Sequence, residues 1–265
     1  MPHAAAPLQG VGVLVTRPAQ QADSLCELIR QQGGTAIRFP VLAIRPPADP
    51  KNLRQVIDQL HEFDWAVFIS ANAVSRTLEH IPGKHGWPKS VRIAVIGKRS
   101  AEELKRFGLA ADLFPQHEFN SEALLALPDM QEVGGQRMVI FRGNGGREML
   151  ADTLRKRGAR VEYAEAYRRV RPNADSSELL QRWRQGLVNI VSVNSAESLR
   201  NLVEMLGKAG EPLLTGTQLL VVSERMLALA EELGFRYPPP LVAENATDKA
   251  VVDALLAWKQ SQSRH

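Results

Sequence analysis

Short apolar runs alternate with amphipathic stretches along the whole chain. Runs such as VLV, WAVFI and AVI are continuous, as in strands covered on both faces of a parallel sheet. In the first half they predict strands near 11–16, 35–41, 65–70, 91–96 and 111–114. Apolar positions three and four residues apart predict helices near 19–32, 50–62, 72–80, 99–107 and 121–127. The second half predicts strands near 137–141, 160–166, 189–193, 218–222 and 240–243, with helices between them and one from Thr247 onward. Gly33, Gly108, Gly158 and Gly234 close helical stretches, where a left-handed residue is needed. The expected fold class is α/β, with two doubly wound, flavodoxin- or Rossmann-like parallel-sheet domains.

Compared with itself, the chain shows a tandem internal duplication. GVGVLVTRPAQQADSLCELIRQQGG (10–34) lies over GQRMVIFRGNGGREMLADTLRKRGA (135–159), matching Gly10, Arg17, Leu25, Arg30 and Gly33 to Gly135, Arg142, Leu150, Arg155 and Gly158. At the same spacing FISANAVSRTLEHI (68–81) covers VNSAESLRNLVEML (193–206). One residue later AVIGKRSAEELKRFGL (94–109) covers LVVSERMLALAEELGF (220–235), pairing Arg99 with Arg225 and Gly108 with Gly234.

Composition narrows the classes. The 265 residues suit about two domains, and 44% hydrophobic with 23% charged residues is ordinary for a globular protein. No run approaches the roughly 18 apolar residues of a membrane span, so no membrane partner is expected. MPHAAAPLQG does not read as a signal peptide, and a cytoplasmic location is expected. Cys26 is the only cysteine, which excludes an internal disulfide and thiolate metal clusters within one chain. The six histidines (His3, His61, His80, His85, His117 and His265) show no metal-ligand spacing, so no metal is expected. The net charge of +4 is concentrated at Arg155, Lys156, Arg157, Arg160, Arg168, Arg169 and Arg171. That cluster reads either as a solvated helix face and edge strand or as an attractor for a polyanion. Nucleic acid is not the expected polyanion: only 6% of residues are aromatic, and no RNA- or DNA-binding signature is present. No long apolar helix face is left over, so a monomer is expected.

Candidate chemistry lies in the strand-to-helix turns, since ligands of open parallel sheets bind beyond the strands' carboxyl ends. The duplication places equivalent polar turns there: Thr16-Arg17-Pro18 and Arg142-Gly143-Asn144, Ser70-Ala71-Asn72 and Asn194-Ser195-Ala196, Gly97-Lys98-Arg99 and Ser223-Glu224-Arg225. Hydroxyls at Ser70, Ser121, Ser195 and Thr247 read individually as helix N-caps. As a set the turns offer free amides able to hold carboxylates or phosphates. FRGNGGREML (141–150) looks at first like a phosphate loop, but FRGNGGRE is neither GxxxxGK[ST] nor GxGxxG, and no acidic residue stands where a ribose would be held. Its partner TRPAQQADSL (16–25) has no glycine. The shared features are an arginine and helix-start amides, and the expected anion is a carboxylate. No GxSxG elbow or base–nucleophile pair is visible, and no cofactor is expected.

These stretches together resemble uroporphyrinogen-III synthase over nearly the whole chain. The matching segments are VLVTRP at 13–18, FISANAV at 68–74, AVIG at 94–97 and FRGNGGREMLADTLRKRGARVEYAEAYRR at 141–169, with SAESL at 195–199 and ATDKAVVDAL at 246–255. The resemblance implies a cofactor-independent lyase that closes hydroxymethylbilane, a linear tetrapyrrole polycarboxylate, with loss of water and inversion of ring D. The partner is then a small-molecule substrate, with the preceding bilane-forming enzyme as a candidate protein partner. It implies one domain from 1–37 plus 172–265 and another from 47–160, joined by a two-stranded linker at 38–46 and 161–171. Pro40, Pro46 and Pro47 suit such a connector. It gives Tyr167 as the catalytic candidate, a proton donor to the departing hydroxyl. Thr16, Arg17, Ser70, Ala71, Asn72, Gly97, Arg142, Gly143, Ser195, Ala196, Ser223 and Thr247 are the substrate-binding candidates. Arg17 and Arg142 either pair carboxylates or lock their turns. The other readings are a two-domain anion-binding module without catalysis and a sugar-nucleotide transferase.

Overall fold

The computed structural model describes residues 6–82, 86–146 and 148–262. His3, His85, His265 and Arg147 of the glycine-rich stretch lie outside them. The strands in chain order are β1 (Gly12–Val15), β2 (Thr35–Arg38), β3 (Ala43–Arg45), β4 (Trp65–Phe68), β5 (Arg92–Val95), β6 (Arg137–Gly143), β7 (Arg160–Val170), β8 (Ile190–Val193), β9 (Gln218–Val221) and β10 (Leu241–Val242). The helices are α1 (Ala19–Gln31), α2 (Lys51–Asp58), α3 (Ala71–Leu78), α4 (Lys98–Arg106), α5 (Ser121–Ala126) and α6 (Pro128–Gln131). After them come α7 (Met149–Lys156), α8 (Ser177–Arg184), α9 (Ala196–Thr215), α10 (Leu227–Glu232) and α11 (Asp248–Gln262). The fold is α/β with parallel sheets, and the chain divides into two compact units, residues 1–43 with 170–265 and residues 44–169.

The discontinuous unit is built on a sheet of order β10-β9-β8-β1-β2. Successive strand residues point to opposite faces, and here both faces are apolar. Leu14, Val191, Val193, Leu219 and Val221 pack with Leu179, Leu180, Leu199 and Leu202 from α8 and α9. Val13, Val15, Ile190 and Leu220 pack with Leu25, Cys26 and Ile29 of α1 and with Val251 and Leu255 of α11. Helices therefore cover both sides, as continuous apolar strands require. Cys26 is one of these core residues, fully buried.

The continuous unit carries the sheet β3-β7-β6-β4-β5. Trp65, Val67, Met138 and Ile140 pack with Leu124 and Leu125 of α5 and Leu150 and Leu154 of α7. The alternate residues Phe68 and Phe141 stack with ring centroids 4.9 Å apart. The expected strand near 111–114 is reduced to one bridge, Leu113 beside Ala94. The predicted helix near 50–62 splits into α2 and a 3-10 turn at Leu60–Glu62. In the other unit α9 breaks at Gly207, whose φ is 57°.

Register repeats between the two sheets. Gly12 pairs with Thr35, Val13 with Ile190 and Ile190 with Gln218 in one sheet. Arg137 pairs with Arg160, Met138 with Trp65 and Trp65 with Arg92 in the other. Each of these residues lies 125 or 126 positions from its counterpart. Helix ends repeat as well. Gly33 donates to the Arg30 carbonyl at 2.8 Å while Gly34 donates to Ile29 at 3.0 Å. Gly158 and Ala159 make the same pair of bonds to Arg155 and Leu154, at 2.9 and 3.1 Å.

Candidate functional site

In the continuous unit, β4, β5 and β6 deliver three turns at their carboxyl ends. Ser70 is the extended residue before α3, and its Oγ accepts from the Ala73 amide at 3.1 Å. The same oxygen lies 3.1 Å from the Tyr167 hydroxyl. Ala71 and Asn72 form the first turn of α3 above it. Gly97 is the extended residue before α4, its Cα facing Phe119.

Tyr167 reaches Ser70 because of an irregularity between β6 and β7. Arg142 pairs with Glu165, yet Gly143 pairs with Tyr167, so one extra residue sits on β7. A bulge of this kind reverses the facing of every later residue on its strand. It sends Tyr167 to the side of Phe141, whereas Tyr163, paired with Ile140, keeps to the other. Gly143 makes the room: a Cβ there would lie 2.8 Å from Cε2 and Cζ of Tyr167 and 3.1 Å from its hydroxyl. Tyr167 is 6% exposed. Asn144 fastens the turn, its amide donating to the Tyr167 carbonyl at 3.0 Å and its Oδ1 accepting from the Arg169 amide at 2.7 Å.

Arg142 is 5% exposed and lies on the opposite side of this turn from Tyr167. Its Nε donates to the Gly145 carbonyl at 3.2 Å, and one terminal nitrogen pairs with Glu148 at 2.9 Å. Its guanidinium stacks over the Tyr163 ring, 4.5 Å from the centroid. Burial, with the Glu148 carboxylate alongside, pushes the Tyr163 phenol up to about 12. Tyr163 and Arg142 together hold the Glu148 carboxyl below the usual range. The phenol and the carboxylate influence each other without forming a hydrogen bond of ordinary geometry, and the Tyr163 hydroxyl is buried without a partner.

In the discontinuous unit, Thr16 is fully buried and its hydroxyl donates to the Ser192 carbonyl at 2.8 Å. Arg17, 7% exposed, pairs with Asp248 and donates to the Ala246 carbonyl at 3.3 Å, tying the β1 turn to the start of α11. Ser195 caps α9 ahead of Ala196, its Oγ accepting from the Ser198 amide at 3.1 Å and lying 2.8 Å from the Ser198 hydroxyl. Ser223 accepts from the Arg225 amide at 3.3 Å and lines a cavity of about 460 Å³ with Glu224, Arg225 and Glu244. Thr247 donates to Asn245 Oδ1 at 2.6 Å and accepts from the Ala250 amide at 3.3 Å.

The structure thus brings Ser70, Gly143 and Tyr167 into contact, and separately gives Arg17 and Arg142 carboxylate partners. Glu148, Tyr163 and Asp248 are polar residues of these clusters that the motifs did not single out. Much of the basic cluster is internally paired: Arg155 with Asp152, Arg171 with Glu204, and Arg157 with the carbonyls of Leu125 and Met130. Among the described residues no three His, Cys, Asp or Glu gather as a metal site, and no helix is long and apolar enough to cross a membrane.

Parallel sheets with polar turns at their carboxyl ends place the chain in the α/β class. The family model for uroporphyrinogen-III synthase HemD matches residues 23–253. The chain is 35% identical to the uroporphyrinogen-III synthase of Escherichia coli K12 over 247 residues, 92% of this chain and 100% of that one. It is 34% identical to the Salmonella typhimurium LT2 protein of the same name, with the same coverage. Among solved structures, a mutant uroporphyrinogen III synthase from Thermus thermophilus aligns with TM-score 0.60 at 20% identity, covering 96% of this chain and 100% of that one. The Helicobacter pylori 26695 uroporphyrinogen-III synthetase aligns with TM-score 0.58 at 12% identity, covering 94% and 99%. The chain belongs to the uroporphyrinogen-III synthase family, enzymes of tetrapyrrole synthesis.

Proposed function

We propose that the chain converts hydroxymethylbilane to uroporphyrinogen III, losing water and inverting ring D, as a lyase that needs no cofactor. The observation that carries the residue assignment is the contact of Tyr167 and Ser70 at 3.1 Å beside Gly143. Hydroxide is a poor leaving group, and a positioned donor makes it leave as water. A phenol carries its proton at neutral pH. In this reading Tyr167 hydrogen-bonds the departing hydroxyl, and Ser70 holds the phenol in place between turnovers. Backbone amides and hydroxyls at Ser70, Ala71, Asn72, Gly97 and Gly143, and at Ser195, Ala196, Ser223 and Thr247, take substrate carboxylates; Thr16, fully buried with its hydroxyl on the Ser192 carbonyl, holds the β1 turn instead. Arg17 and Arg142 supply positive charge beneath those turns. Closure of the macrocycle then rests on positioning, which can contribute several kcal/mol without side-chain chemistry.

We read the chain as a tandem duplication whose copies are interleaved. The repeated registers support this, since each sheet draws strands from both halves. The chain passes between the units near residues 43–44 and 169–170, within the segments 38–46 and 161–171.

The test is to supply hydroxymethylbilane, oxidise the product and separate the porphyrin isomers. Excess type III porphyrin is expected. A type I product equal to that of the enzyme-free control overturns the reading. Tyr167→Phe should lower kcat by about 10²-fold, the scale of one general acid. An unchanged rate in a folded variant removes Tyr167 from the chemistry.

A further inference from the structure

A cavity in the continuous unit joins Arg142 to residues that the reaction as assigned leaves unused. It occupies about 200 Å³ at the carboxyl ends of β4, β5 and β6. Ile69, Ile96, Ile140 and Leu150 form its apolar wall, and Arg142, Tyr163 and Ser121 its polar one. Pockets that enclose whole ligands run to about 300–1,000 Å³, so this one holds an arm of a ligand and not a tetrapyrrole.

Its polar wall is built for an anion and only loosely filled. Arg142 is a buried cation, and a buried cation needs a partner. The carboxylate it has, Glu148, belongs to a side chain 56% exposed, which can return to water at little cost. Two residues before Glu148 stands Gly146, which with Gly145 adopts positive φ, 129° and 69°, the region glycine favours. The buried Tyr163 hydroxyl has no hydrogen bond of ordinary geometry and interacts with the same Glu148 carboxylate, so an acceptor that replaces Glu148 can satisfy it. Stacking of Arg142 on Tyr163 at 4.5 Å fixes both donors relative to one another.

We infer that this cavity is a subsite for one carboxylate-bearing arm of the ligand, with Glu148 as its internal placeholder. The methylenes of the arm lie against Ile69, Ile96, Ile140 and Leu150, and the carboxylate replaces Glu148 on Arg142 and accepts from Tyr163. The assignment of the arm to the tetrapyrrole rests on the proposed synthase function; the anion subsite itself does not.

Calorimetric titration of the full chain with a monopyrrole bearing acetate and propionate arms tests it, with inorganic sulfate as the comparison anion. Glu148→Gln removes the competing charge and should tighten monopyrrole binding several-fold. Tyr163→Phe should weaken it several-fold, and Arg142→Met should abolish it. Sulfate, with no methylenes for the apolar wall, should not displace the monopyrrole. Equal or weaker binding by Glu148→Gln, wild-type binding by Tyr163→Phe, or displacement by equimolar sulfate overturns the subsite. The isomer assay separates the two proposals. Wild-type protein that binds the monopyrrole but makes no type III product overturns the synthase reading alone. A wild-type synthase whose monopyrrole affinity and KM are unmoved by Glu148→Gln and Tyr163→Phe overturns the subsite alone.

Discussion

Two tyrosines four positions apart on one strand meet different fates. Tyr163 is partly buried beside a carboxylate, and its phenol is pushed up from 10.0 to about 12, first by burial and then by Glu148. The unfolded chain releases this proton near 10, before the folded chain does. More protons are then bound in the native state, and stability falls as pH rises from about 10 towards 12. Ultraviolet titration should show a tyrosinate phase near 12 that disappears in Tyr163→Phe; persistence of that phase in the variant contradicts the assignment. Tyr167 depends instead on a missing side chain. Gly143→Ala would place a methyl 2.8 Å from its ring. Overpacking of this kind costs about 1–3 kcal/mol, measurable by urea denaturation, and the displaced ring should lose Ser70. A variant with wild-type stability and kcat would show that the close approach is relaxed without cost.

At the level of elements, the repeated helix ends follow from glycine. Gly33, Gly108, Gly158 and Gly234 all have positive φ, from 76° to 91°, one residue past the cap. Each closes its helix with the same pair of bonds, as at Gly108 to Lys105 and Leu109 to Leu104, 3.0 and 3.1 Å. An L-residue in this conformation costs about 1–2 kcal/mol, and at Gly158 a Cβ would also press on the Gly134 Cα at 3.2 Å. Gly158→Ala should therefore lower the unfolding free energy in urea by that amount without changing the far-ultraviolet circular dichroism. These ends were legible because a glycine after an amphipathic stretch has few other uses. The short strand β3 was not, since Pro40, Pro46 and Pro47 mark an extended connector equally well; Ala43–Arg45 is an edge strand next to β7, where one side needs no donors. The run at 111–114 erred the other way: its hydrophobicity is strand-like, but only Leu113 bridges to Ala94.

At the level of the molecule, the chain leaves its first sheet after β2 and returns to it at β8. All five strands of the second sheet lie between residues 43 and 170, so a fragment of that span has its strands and both apolar faces. It should fold alone, with cooperative urea unfolding. The segment 1–42 holds only β1, α1 and β2, a parallel pair without the neighbour β8, and should remain unfolded until 171–265 is added. A fragment 43–170 without a cooperative transition would refute this division of the core.

The sequence by itself determined the strands and helices, their class and the repeated turns. Those features depend on the local period of apolar residues and on single glycines, which each stretch carries with it. It also marked the arginines and hydroxyls at the strand ends. Only the tertiary structure decided which strands are neighbours, because parallel pairing joins β1 to β8 across more than half the chain. It alone decided that Tyr167 meets Ser70 while Tyr163 faces Arg142. Strict alternation puts the two phenols on one face, and a single extra residue opposite Gly143, which no side-chain period reveals, turns them apart.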